Sequence, residues 1–145
     1  MAPDVSMTMQ IDETTEAKIS NYVSLSQLYL QNSNKMIQKK EYSKAGEMIW
    51  GAVAIVIKAI GIRYGERTKN HKEIINLAKR IALQSQDNDL REGIVKYAGG
   101  FHANYYENFI EPEDFSIYFE KSMESYKKLI ALLLQQGTPS QRTST

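Results

Sequence analysis

Two histidines, His71 and His102, are the side chains of this sequence best suited to acid–base chemistry near neutrality. His102 lies in the word FHANYYENF, where helical spacing sets Ala98, Tyr105, Tyr106 and Phe109 beside it at the edge of an apolar stripe. Two readings are open there. In one, the imidazole acts as a general base toward a ribose 2′-hydroxyl or binds a phosphate. In the other, which the sequence alone favours, it is a boundary histidine hydrogen-bonded to a tyrosine or a backbone carbonyl. Arg63, His71, Lys96, Asn104, Tyr105 and Glu107 are the candidate ligand-binding groups around it. Glu47 and Lys58 stand three turns apart on one face of an otherwise apolar helix with Trp50 nearby, and they mark either an exposed line, a cleft or a dimer seam.

Other chemistry finds little footing. With no cysteine, two histidines distant in sequence and carboxylates without ligand spacing, no metal site is expected. Glycine-rich phosphate loops and nucleophile elbows are missing, so no cofactor is expected either. Lysine and arginine number 18 against 17 acids, a net charge of +1, which leaves any nucleic-acid binding to local patches. Lys35, Lys39, Lys40 and Lys44 form one such patch, read as a solvated helix end.

The elements that must hold these groups are helical throughout. No useful stretch alternates with a period of two. Asp12 caps a first helix reaching about Lys40, and Ser43 is the expected cap of a second, SKAGEMIWGAVAIVIK, apolar on nearly every side. Gly61 and Gly65 end it. Asn70 with Glu73, then Asp89 with Glu92, are capping signatures for a third and a fourth helix. Leu90, Ile94, Tyr97, Ala98, Phe101, Tyr105 and Phe109 form the fourth helix's stripe, with a kink or tight crossing at Gly99-Gly100. Pro112 opens a fifth helix.

Short connections then predict an all-α, up-and-down antiparallel bundle of five helices, four long and one shorter. The single domain covers residues 12–136, with polar tails at 1–11 and 137–145. In that order the Arg63–Lys72 region would meet the end of the fourth helix, where the acidic stretch from Glu107 to Asp114 would neutralise it. The lysine patch would sit at the opposite end. The longest apolar run, Met48 to Ile62, is shorter than a membrane span of about 20 residues, and the N-terminus is acidic rather than signal-like. A cytoplasmic protein without a membrane contact is the expectation.

The words SKAGEMIWGAVAIVIKAIGI and FHANYYENF resemble the archaeal paREP-type family of HEPN-like helical bundles. Trp50, Gly51 and Ala52 match its small-residue helix, and His102, Asn104, Tyr105, Tyr106 and Glu107 its late helical word. The resemblance implies a helical module that dimerises and binds RNA, a nucleotide or a partner protein. It also implies two alternatives, a metal-independent RNase and a structural partner of a minimal nucleotidyltransferase. The RNase branch carries Arg, four to six residues, then His, a pattern that no arginine here completes. Lys96 has the spacing to His102. Under that alternative His102 is the general base and Arg63 or Lys96 the phosphate contact.

Overall fold

The computed structural model of the protein describes residues 12–136, and the two expected tails lie outside them. Among the described residues every regular element is helical. α1 (Glu13–Gln38) begins at Asp12, whose carboxylate accepts from the Thr15 N–H at 2.7 Å. α2 (Tyr42–Tyr64) begins one residue before the expected Ser43 cap and carries no side-chain cap, Glu41 standing at that position. It ends as its glycines predict: Gly65 is left-handed at φ 69°, and the Gly65 and Glu66 amides donate to the Ile62 and Gly61 carbonyls. α3 (His71–Gln84) is capped by Asn70, which accepts from the Glu73 N–H, while Glu73 reaches back to the Lys69 N–H.

The fourth expected helix is three pieces in continuous sequence. α4 (Asn88–Glu92) leads into a π-helical turn (Gly93–Ala98), and α5 (Gly99–Glu107) follows. Its cap is Asp87 rather than Asp89, because Asp87 accepts from the Leu90 N–H and also pairs at 2.9 Å with Lys128 of α6 (Phe115–Gln136). The expected distortion is therefore present but falls just ahead of Gly99-Gly100. The tight crossing falls at Gly100 itself, against the Tyr118 ring. Pro112 opens a single 3-10 turn before α6.

α2 is the hub. Ile49, Ala52, Val53, Val56, Ile57, Ala59 and Ile60 are each fully buried. The helix is long and apolar enough to cross a membrane by length and composition, and most of it is covered by its neighbours instead. α1 lies along it and carries Ile19 and two buried serines, Ser26 and Ser33, whose hydroxyls donate to the Val23 and Leu30 carbonyls, Ser26 also meeting the Tyr126 hydroxyl of α6 at 2.8 Å. These small side chains let the backbones approach. Gly51 accepts the Tyr29 ring in the space where a Cβ would stand.

Contacts at the two ends of α2 fix the helix directions. Arg63, near its C-terminus, binds Glu16 at the start of α1 and the Leu133 carbonyl near the end of α6. Tyr42, at its N-terminus, packs on Phe115 at the start of α6. So α1 runs against α2 and α6 runs with it. The helix from Gly93 through α5 runs against both, since Gly93 meets Ser125 and Gly100 meets Tyr118 along α6, while Gly46 of α2 faces Phe101. The loop 65–70 turns back along α2, placing Thr68 and Leu77 against Gly61 and His71 beside Trp50.

That returning loop corrects the expected assignment of ends. The acidic stretch after α5 comes to the α1–α2 turn, where Glu111 lines a concavity of about 560 Å³ together with Lys40 and Lys44. The lysine patch and the acidic loop share one end of the molecule. The basic groups near Arg63 find other partners, Glu16 for Arg63 and Glu73 for Arg67.

Candidate functional site

Glu47 lies on the second turn of α2, one of the few polar side chains on a largely buried helix. Across from it, the fully buried Phe101 anchors α5 against Gly46 and turns the next residue, His102, toward the carboxylate. His102 Nδ1 stands 2.9 Å from Glu47 Oε1 and 3.3 Å from Oε2. Both side chains keep an exposed edge, 30% for His102 and 25% for Glu47. With the proton on Nδ1, the imidazole donates to the carboxylate and leaves Nε2 as an oriented base or acceptor. A π turn immediately precedes this segment, a distortion common at functional sites.

His71 completes the arrangement. As the first residue of α3 it lies with its ring stacked on His102, centroids 5.1 Å apart and planes within 20°. The Trp50 ring touches both imidazoles, at 5.1 and 5.5 Å. Tyr106, 72% exposed, meets His102 edge-on, and Tyr105 meets Tyr106 in the same way. The result is a row of rings leading from the buried indole to solvent, with one carboxylate behind it.

The outer edge of His71 is exposed, but its face is covered by Trp50 and His102. Burial of that face holds its pKa below the ordinary 6.5; the nearby His102 charge acts in the same direction and Glu47 opposes it. The native state thus prefers neutral His71, so its contribution to stability is complete above pH 6.5 and is lost as pH falls below that value. Thermal unfolding followed through Trp50, the single tryptophan, is expected to show less loss of stability between about pH 7 and pH 5 in His71→Gln than in the wild type. Equal losses in the two proteins would contradict this account.

The remaining candidates divide. Arg63 is 2% exposed and serves the fold, Nη1 donating to the Leu133 carbonyl and Nη2 to Glu16 at 2.6 Å. Buried and committed there, it does not reach the histidines. Asn104 is also structural: its Oδ1 accepts the Phe109 and Ile110 amides at 2.6 and 2.7 Å and closes the chain behind Asn108, at φ 50°. That inward amide displaces the expected stripe, and Tyr105 and Phe109 are exposed. Lys96 lies over the Tyr97 ring on the π turn, and Glu107 is exposed at the end of α5. Lys58 is separated from Glu47 along the helix face by Gly51, which Tyr29 covers, so the two do not form one polar line. Among the described residues no group of three or more His, Asp or Glu side chains is arranged to hold a metal ion.

Sequence reasoning singled out Glu47, Trp50, His71 and His102 but assigned them to two separate features. Their convergence had one available signal. A lone carboxylate on an apolar helix and a lone imidazole on an apolar stripe each need a polar partner, and each supplies the other's.

These observations define an all-helical bundle whose central, small-residue helix presents a carboxylate to a stacked imidazole pair. The chain belongs to the Archaeal PaREP1/PaREP8 family, whose model matches residues 21–128 and so takes in every residue of the site. No curated protein and no solved structure matches it.

Proposed function

We propose that this protein is a HEPN-like helical module that binds a nucleotide or RNA at the ring cluster of Trp50, His71, His102 and Tyr106. The observation that carries this reading is the Glu47–His102–His71 arrangement, in which two imidazoles present hydrogen-bonding edges to solvent next to exposed tyrosine faces. Imidazole edges suit phosphate and hydroxyl groups, and the tyrosines suit a base. The opposed directions of α1 and α2, and of α5 and α6, support an up-and-down arrangement of the long helices, with α3 as a crossing element. The protein acts as a homodimer in the cytoplasm, with Leu25 and Leu28, exposed on α1, available to a second copy.

Glu47→Gln keeps the side-chain size and removes the charge that orients His102. A charge-assisted hydrogen bond of about 1.5–3 kcal/mol is at stake, so mononucleotide affinity should fall about tenfold or more by calorimetry. His102→Ala should abolish binding. Unchanged affinity in both variants would sink the proposal.

A second reading, a metal-independent ribonuclease, is favoured by the stacking of His71 on the carboxylate-held His102. Two adjacent imidazoles can divide the two proton transfers, His71 taking the 2′-hydroxyl proton and His102 delivering one to the leaving oxygen. RNA cleavage in the presence of a chelator, lost in both His71→Ala and His102→Ala, would establish it. Cleavage retained in the variants would indicate contamination.

A further inference from the structure

α3 begins at the ring cluster with His71 and ends beside a second, separate concavity. That groove, about 400 Å³, is lined by Lys79, Arg80, Ala82, Leu83, Asn88 and Arg91. No carboxylate lines it. Arg80 is held in place by Glu66, their hydrogen bond 2.5 Å long, so its guanidinium is fixed before any ligand arrives. Arg91 is exposed, and Leu83, 47% exposed, adds an apolar wall.

The stretch between the two sites has the same character. The only acid on α3 is Glu73, which is turned to the Lys69 N–H and to Arg67. The face of α3 directed to solvent carries Lys72, Asn76 and Lys79 at helical spacing, leading toward Leu83. Fourteen residues of helix span about 21 Å. A row of cations and amides of that length, with exposed aromatic rings at its start, has the make-up of single-strand nucleic-acid sites, which combine a cationic path for the backbone with stacking surfaces for bases.

We propose that the solvent face of α3 is a track for a single-stranded nucleic acid, its backbone running from His71 to a phosphate site formed by Lys79, Arg80 and Arg91. This rests on the nucleotide reading of the ring cluster and extends it from one residue of ligand to several. The groove supplies affinity, and the ring cluster receives one base and its sugar.

The test compares two probes by fluorescence anisotropy and calorimetry, a labelled single strand of about ten nucleotides and a mononucleotide. The double variant Lys79→Ala/Arg91→Ala removes two surface cations without touching the Arg80–Glu66 pair. It should weaken the long probe at least tenfold and lower the magnitude of its salt slope by about 1.4, at roughly 0.7 per cation for single strands. Mononucleotide affinity and thermal midpoint should stay at wild-type values. If the long probe binds no tighter than the mononucleotide, or the double variant keeps the wild-type affinity and salt slope, the track is overturned while the ring-cluster site stands. If neither probe binds the wild type, both fall together.

Discussion

Arg63→Ala is expected to lower the unfolding free energy by about 3 kcal/mol, near the bottom of the range for breaking a buried ion pair. The guanidinium is almost fully enclosed, while Glu16 keeps 39% of its side chain in solvent and can rehydrate when abandoned, which holds the loss down. For a chain of this size that is a fall of roughly 10 °C in thermal midpoint. Arg63→Met, which fills much of the same space, should lose about half as much. The comparison also separates two roles. A phosphate-binding arginine would lose ligand affinity at unchanged stability, whereas this one should lose stability because it ties the start of α1 and the end of α6 to the last turn of α2.

The second large effect lies where α2 crosses α5. A Cβ on Gly46 would stand 2.4 Å from Phe101 Cδ1 and 2.9 Å from Cγ, and Phe101 is only 1% exposed, so the ring has nowhere to go. Gly46→Ala should cost about 1–3 kcal/mol by overpacking, less the helix propensity it recovers. Phe101→Ala should cost about 3–5 kcal/mol for the cavity it leaves. The two are in contact and opposite in volume, so the double variant should be more stable than the sum of the single losses predicts. Chemical denaturation of the four proteins measures the coupling; strict additivity would mean that the crossing is not as tight as the geometry makes it. Gly46→Ala alone should also weaken mononucleotide binding, because the residues displaced adjoin Glu47 and His102.

Local features of this fold were legible because they depend on neighbours in sequence. Asp12 and Asn70 cap helices through their own i+3 amides, Gly65 takes the left-handed turn and Pro112 opens its short helix. The apolar continuity of α2 announced a helix surrounded by others. What failed was whatever depended on a choice among distant partners. The loop 65–70 has no signal for doubling back, yet that return decides that the lysines of the first turn meet Glu111. Asn104 reads as a polar ligand group and is instead consumed by two backbone amides of the following loop. Glu47 and His102 are separated by 55 residues, and nothing local to either names the other.

The burial of α2 has a consequence for the order in which the protein is made. A ribosome completes this membrane-length segment at Tyr64, well before α5 and α6, which cover much of it, exist. Synthesis at about 5–20 residues per second leaves an interval of several seconds. Among the described helices α1 alone precedes it, and α1 is the helix that α2 folds against directly and whose Glu16 receives Arg63. The nascent hairpin of α1 and α2 is therefore an early protection of this segment against capture by a membrane or by another unfinished chain.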